Sequence, residues 1–300
     1  MSERDELLSD LSEGRRKFLA LVETVRPELH RYCARMTGSV VDGEDIVQEA
    51  LARAYFALSE YETLPPLRPW LFRIAHQRAI DHLRRYEKRM GESLDEKHEH
   101  SDDSALGPED AIAREDATRS AVWRFMDLPP AQRSAVILKD VLGHSLEEIA
   151  RLLDLGVPAV KAALHRGRVR LREDQDTDAS MPRREISPVV SRYVALFNAH
   201  DWDGVRALLS EDVQLDVVAR SRRSGRRDVG VYFTNYDALR DWHLVPAWLE
   251  GREVVAVFRH PDDARPAYFV QLTIADERIA AIRDFRYVPY ITAEAAIEAA

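Results

Sequence analysis

The chain has 300 residues, 45% of them hydrophobic, and its 43 Lys and Arg against 52 Asp and Glu give a net charge of −9. That length allows two or three small domains with their own cores, and the net acidity excludes a protein that simply coats DNA with positive charge, so any cationic surface must be local. One cysteine excludes an internal disulfide and a cysteine-built zinc site. Cys33 belongs to the apolar pattern Leu29, Tyr32, Cys33, Met36 and reads as a small buried hydrophobe. The opening MSERDELLSDLSEGRRK is charged, and no apolar run reaches the ~18 residues of a membrane span. Secretion and membrane insertion are therefore disfavoured, and a cytoplasmic location is expected. There is no internal repeat, P-loop or dinucleotide fingerprint.

The first part of the chain reads as a small helical bundle, with helices from Phe18 to about Thr37, from Asp42 to Leu58 and from about Leu67 to Arg89. Asp42 and Asp45 are candidates to start the middle helix, whose apolar side runs Ile46, Val47, Ala50, Leu51, Ala54, Tyr55, Leu58. Its polar side carries Asp45, Gln48 and Glu49. Acids in a first turn complement the helix dipole, so two readings stay open: they support the helix, or they dock a basic partner. In the third helix Trp70 to Phe72, Ile74, Ala75, Ala79, Ile80 and Leu83 supply core, while Arg73, Gln77, Asp81, Arg84 and Lys88 recur on a polar face. From Arg68 to Met90 seven basic residues oppose two acids, a local cationic island. Trp70 and Phe72 lie beside arginines after Pro65 and Pro66, where an aromatic either packs in the core or stacks on an unpaired base.

Between Gly91 and Asp116 ten acids face only Lys97 and Arg114, with few apolar residues, the composition of a solvated linker. Its charge serves solubility, or competes with DNA for the basic faces. Leu128 to Glu173 then spells a helix-turn-helix. Ser145 and Glu148 form a capping box, Leu146, Ile149, Ala150 and Leu153 make one apolar side, and Asp154 to Gly156 breaks the pattern before Pro158, a residue suited to a first helical turn. On the second helix Val160, Leu164, Gly167 and Leu171 share one face. Lys161, His165, Arg168 and Arg172 form a stripe on another, flanked by Arg166 and Arg170, with no acid from Pro158 to Arg172. A lone cationic stripe is ordinarily a solvated face; next to a capped helix and a tight turn it points to a nucleic-acid groove.

The last part differs in kind. Ser187 and Pro188 open an amphipathic helix with Val190, Tyr193, Val194 and Phe197, a short helix follows from Trp202 to Leu209, and Val213 to Val218 alternates like a strand. Glu253 to Phe258, Ala267 to Ile274 and Ile279 to Phe285 are strand-like, separated by turns at Pro261 to Arg265 and Ala275 to Arg278. Helices in the concavity of a curved antiparallel sheet are the natural assembly. Asp216, Tyr232, Asp237, His243 and Asp284 are acid-base candidates if they point inward. The run Arg220, Arg222, Arg223, Arg226, Arg227 reads as a solvated loop, a DNA-backbone contact or a docking surface for the acidic linker.

DGEDIVQEALARAY, then RPWLFRIAHQRAIDHLRR, an acidic linker and the helix-turn-helix together resemble the extracytoplasmic-function group of sigma-70 family factors, from about Arg16 to Glu173. VSRYVALFNAHDWDGVRALLSEDVQLDV resembles, more weakly, the SnoaL-like branch of the cystatin-like cone superfamily; a DGGGK-type motif of some fused relatives is missing. The implied architecture is multidomain: two all-α modules binding DNA and polymerase, the second a helix-turn-helix, followed by an α+β cone domain. Its parts are sigma region 2 at 1–90, the acidic linker at 91–118, region 4 at 119–176, a linker at 177–186 and the SnoaL-like regulatory domain at 187–300.

The resemblance implies a non-catalytic initiation subunit that directs promoter-specific transcription by core RNA polymerase, with the cone domain modulating it in cis. Asp45, Gln48 and Glu49 would grip the polymerase clamp. Arg68, Trp70, Arg73, Gln77, Arg78, Arg84 and Arg85 would melt and read the −10 element, and Lys161, His165, Arg166, Arg168, Arg170 and Arg172 the −35 element. Gln77 stands where the family often has asparagine, which implies a shifted −10 preference. Ala162 and Ala163 replace larger polar residues, implying weaker −35 discrimination and steep salt dependence. Expected partners are core polymerase, promoter DNA and an intramolecular contact between the cone domain and the sigma modules; no anti-sigma partner is identified, and no cofactor, metal or membrane is expected. The alternative is a ligand-binding or ligand-converting SnoaL-like protein whose helical modules regulate transcription without entering the polymerase.

Overall fold

A computed structural model describes residues 13–14, 16–61, 63, 65–90, 122–173, 185–237 and 242–300. The acidic linker expected at 91–118, and the linker at 177–186 apart from its last two residues, lie outside them. The chain divides into two compact units, Met1–Asp178 and Ala179–Ala300.

In the first unit a helical stretch at 16–22 gives way to a turn at 23–25, so the single helix expected from Phe18 is two. Helix α1, Arg26–Thr37, starts with Pro27 in its first turn, where a missing N–H costs no hydrogen bond. Helix α2, Val40–Ala57, begins earlier than expected because Ser39, not Asp42, is the cap: its Oγ accepts the Asp42 N–H at 3.2 Å. A Cβ added at Gly43 would lie 2.5 Å from the Ala34 backbone nitrogen, so α1 and α2 cross in backbone contact that only glycine permits. Helix α3, Leu67–Met90, forms as expected.

Helix α4, Pro130–Val136, runs into one wide π turn, Ile137–Val141, closed by the Leu142 N–H on the Ile137 carbonyl at 3.0 Å. Helix α5, Leu146–Leu153, has both halves of the expected capping box: Ser145 N–H to the Glu148 carboxylate at 2.8 Å and Glu148 N–H to Ser145 Oγ at 3.2 Å. It ends on Asp154 in the left-handed region, φ 57°, and helix α6, Val157–Glu173, follows. The apolar face foreseen on α6, with Val160, Leu164, Gly167 and Leu171, is buried.

The two helical modules do not keep separate cores. Tyr32, Met36, Leu71 and Phe72 join Phe125, Leu128, Val136, Ile137 and Leu138 in one buried cluster. Arg133 of α4 is fully buried at this seam and donates to the carbonyls of Met36, Met126 and Leu128, which makes a guanidinium tolerable away from water. Burial pushes its pKa down to about 10. Beside it the Ser134 and Tyr32 hydroxyls lie 3.2 Å apart, and the His144 ring meets Phe72 edge-on at 5.2 Å. Cys33 is buried, as its apolar setting predicts.

The second unit is α+β. Helices α7, Pro188–Asn198, and α8, Trp202–Ala207, are capped by Ser187 and Asp201. Strands β1, Leu209–Val217, and β2, Ser221–Ser224, lead into helix α9, Arg226–Asp237. Then come β3, His243–Leu249; β4, Arg252–Phe258; β5, Tyr268–Ala275; β6, Arg278–Asp284; and a short β7, Ile297–Ala299. The sheet order is β2-β1-β6-β5-β4-β3-β7. It is not wholly antiparallel, because β1 pairs parallel to β6. Val190, Tyr193, Val205, Val229 and Phe233 of the helices and Leu215, Val255, Val257, Val270 and Ile282 of the strands close one core.

Candidate functional site

Three helical faces carry the expected site residues of the first unit. On α2, Asp45, Gln48 and Glu49 fall one helical turn apart on the strip opposite the buried Ile46, Val47, Ala50 and Leu51. Asp45 is exposed and the other two half-buried. Gln48 Nε2 donates to Glu44 at 3.4 Å, and Glu49 lies 3.5 Å from Arg53 and 3.4 Å from Arg78. The strip is thus acidic at its tip and tied down at its base.

On α3, Arg73, Gln77, Arg84 and Arg85 are exposed. Arg78 is largely covered and bridges Glu49 on α2 and, at 2.6 Å, Asp81 on its own helix, so it links helices as much as it presents charge. Arg68 is held by Glu28 at 2.7 Å. Trp70, half-buried, meets the exposed Tyr61 ring edge-on at 5.5 Å, which places two aromatics at the N-terminal end of the basic face. Phe72 is wholly buried and belongs to the core.

On α6, His165, Arg170 and Arg172 are exposed, and Lys161 and Arg166 half-buried. Arg168 does not join them on an open face. Its Nε and Nη2 grip both oxygens of Asp140 at 2.9 and 2.6 Å, and Asp140 is fully enclosed in the π turn. A bidentate guanidinium-carboxylate pair of this geometry fixes α6 to α4 and its π turn, so Arg168 is a structural anchor. Ala162 and Ala163 also point inward, at 8% and 4% exposure, so they say nothing about base discrimination. The sequence could not reveal the Arg168 anchor, because Asp140 is 28 residues away, whereas Ala163, three residues after Val160, falls on the apolar face at helical spacing.

In the second unit two of the five acid-base candidates come together. Asp284 is completely buried; its Oδ2 accepts the Tyr232 hydroxyl at 2.6 Å and its Oδ1 the Arg286 N–H at 2.9 Å. Burial raises the Asp284 pKa, and the Tyr232 hydroxyl is pushed far up for the same reason. Asp216 instead pairs with Arg222 at 3.4 Å and Arg283 at 3.8 Å, and His243 is half-buried at the start of β3. The Asp237 side chain lies outside the described residues. Tyr236 and Tyr268, which the candidate list missed, complete the cluster: their hydroxyls are 3.4 Å apart, and Tyr236 is 3.0 Å from Tyr232. The spacing Val229, Tyr232, Phe233, Tyr236 is the signal that could have found Tyr236, since it marks one face of a helix. Among the described residues no group of three or more metal-ligating side chains occurs, and no helix is long and apolar enough to cross a membrane.

Two family models match the helical unit: Sigma-70 region 2 over residues 21–89, which holds α1 to α3, and Sigma-70 region 4 over residues 126–171, which holds α4, the π turn, α5 and most of α6. The ECF RNA polymerase sigma factor SigW of Bacillus subtilis is 32% identical over 166 residues, 52% of this chain and 87% of SigW. The chain belongs to the extracytoplasmic-function sigma factors of the sigma-70 family. Another such factor, SigG of Mycobacterium tuberculosis, is 30% identical over 226 residues, 67% of this chain. The match spans 61% of SigG's own length. The crystal structure of the Mycobacterium tuberculosis sigma factor SigJ, 22% identical, aligns over 89% of this chain and 95% of that one with a TM-score of 0.36. Membership in the family does not favour the alternative in which the helical modules act outside the polymerase. Region 2 accordingly carries the α2 and α3 faces, and region 4 the α6 face.

Proposed function

We propose that this sigma factor directs promoter-specific initiation as a non-catalytic subunit of RNA polymerase, working in the cytoplasm. The observation that carries the reading is the pairing of an acidic outer strip on α2 with two exposed basic faces on α3 and α6, in an otherwise acidic chain. Asp45, Gln48 and Glu49 suit a basic surface of core polymerase. Arg73, Gln77, Arg84 and Arg85, with Tyr61 and Trp70 at one end, suit the −10 element, where a base leaving its stack needs an aromatic to replace the lost stacking. Lys161, His165, Arg166, Arg170 and Arg172 suit phosphates and base edges at −35.

The second unit acts in cis on that activity. Run-off transcription by core polymerase plus this protein tests the first claim: specific transcripts are expected, and failure of the folded protein to bind core would refute it. The triple variant Asp45→Ala, Gln48→Ala, Glu49→Ala is expected to lose core binding while staying folded. Truncation after Asp178 tests the cis role, which is wrong if promoter affinity and transcript yield do not change.

A further inference from the structure

One end of the sheet of the second unit, at the margin of its core, collects charged and polar groups that the transcription reading does not use. Register places the start of β3 opposite the end of β4, the end of β4 beside the start of β5, and the end of β6 beside β5. Trp242 precedes β3, Arg259 follows β4, Tyr268 opens β5, and Asp284 and Arg286 lie at and just past the end of β6. Tyr236 comes in from the last turn of α9.

Three observations there bear on a ligand. First, the Trp242 indole N–H is shut away from solvent with no hydrogen-bond acceptor. A buried indole N–H normally has a partner, and leaving one without costs about 1–3 kcal/mol. Second, two guanidiniums lie over the same indole, Arg286 at 4.7 Å and Arg259 at 5.0 Å from its centroid. Neither is within ion-pair distance of a carboxylate among the described residues; Arg286 also interacts with the Tyr236 hydroxyl, and its charge partly offsets the burial that raises the Asp284 pKa. Third, the walls are ring edges: Tyr236 at 6.5 Å and Tyr268 at 5.7 Å from the indole, both close to perpendicular. Behind them the hydroxyls of Tyr232, Tyr236 and Tyr268 are chained onto Asp284, so these rings are locked in place and their hydrogen bonds are internally satisfied.

We propose that this end of the sheet, where Trp242, Arg259 and Arg286 stand on the rings of Tyr236 and Tyr268, binds a small planar organic anion. Its ring lies against the aromatic walls, its carboxylate takes the guanidiniums, and an oxygen accepts the Trp242 N–H. An inorganic anion fits less well, because the ring walls offer nothing in exchange for its hydration shell. The locked tyrosines hold the aromatic walls in place, which limits the ordering cost of binding, while the Trp242 indole, whose N–H is shut away from solvent, shifts to meet the ligand oxygen. The inference concerns the second unit alone and does not depend on the sigma reading.

The test uses the full chain with its indole N–H groups observed by NMR; five tryptophans give five resonances, and Trp242→Phe assigns the relevant one. Salicylate, 4-hydroxybenzoate and indole-3-acetate are the probes, with inorganic phosphate as the comparison. At least one aromatic carboxylate should shift the Trp242 resonance saturably while phosphate does not. Arg286→Gln should weaken that binding about tenfold, and the exposed Arg259→Gln severalfold, with the spectrum otherwise intact. The proposal is overturned if no probe shifts Trp242, if phosphate shifts it equally, or if both arginine variants bind as the unaltered chain does. Because neither polymerase nor DNA is present, failure here leaves the transcription reading standing, and failure of the transcription assay leaves this one.

Discussion

Arg168 and Arg170 are two residues apart on a helix whose polar side is cationic throughout, yet they should fail in opposite ways. Arg168→Ala strips both hydrogen bonds from Asp140, a carboxylate with no exposed side-chain surface. Breaking such a pair from one side costs about 3–5 kcal/mol, because the remaining charge is buried without its partner. The cost should fall in the double variant Arg168→Met, Asp140→Asn, which leaves no charge behind. Arg170 is exposed, so Arg170→Ala should change stability by no more than ~0.5 kcal/mol. If Arg170 meets a phosphate, its loss should reduce the slope of log K against log salt by about 0.9, and affinity should drop on all DNA sequences alike. Urea unfolding of the full chain and promoter binding by the reconstituted polymerase across a salt series measure the two effects. The reasoning is refuted if Arg168→Ala changes the salt slope while stability is untouched.

Arg133→Met should destabilise the first unit by at least about 3 kcal/mol: four charge-assisted hydrogen bonds to three carbonyls, at ~1.5–3 kcal/mol each, are lost, offset by about 3.4 kcal/mol from no longer burying a guanidinium whose pKa is lowered from 12.5 to about 10. Amide exchange in α1 and α4 reads it, and protection equal to that of the unaltered chain would contradict it. His76, whose Nδ1 lies 2.6 Å from the Tyr32 hydroxyl, has its pKa lowered by burial from 6.5 to about 4. The unfolded chain therefore binds that proton more tightly, so stability is complete above pH ~6.5 and declines by about 3 kcal/mol as pH falls to 4. His76→Asn keeps an acceptor for Tyr32 without titrating there, and urea melts at pH 7.5 and 4.5 should show most of that dependence gone. In the β5–β6 turn Asp276 and Glu277 both have positive φ, 50° and 58°, a conformation that favours glycine. Glu277→Gly should raise the melting stability of the second unit by up to about 1 kcal/mol, and a loss would show that the Glu277 side chain has a role of its own.

Much of the site was legible without coordinates, because its signals are local. A capping box needs only Ser145 and Glu148 three residues apart, and the α2 strip of Asp45, Gln48 and Glu49 needs only the 3.6-residue repeat. Where a strand depends on its partners, the expectations were incomplete. Strand β3, His243–Leu249, was not among the expected strands; it holds Pro246 close to the sheet edge, with only the three-residue β7 beyond. The four exposed residues of β2 have no pattern at all; they are a strand because β1 supplies the partner.

The amino-acid sequence by itself determined most helices of the first unit, the Ser145 capping box, which faces are acidic or basic, and the family. Those properties depend on residues within one or two helical turns of each other, where backbone geometry fixes the neighbours. Only the tertiary structure decided that the region 2 and region 4 modules share one core through Arg133, that Arg168 is spent on Asp140, and that Trp242, Arg286, Tyr268 and Asp284 meet at one end of a sheet. Each of those depends on partners tens of residues apart in the chain, and no periodicity records which distant group a side chain will find.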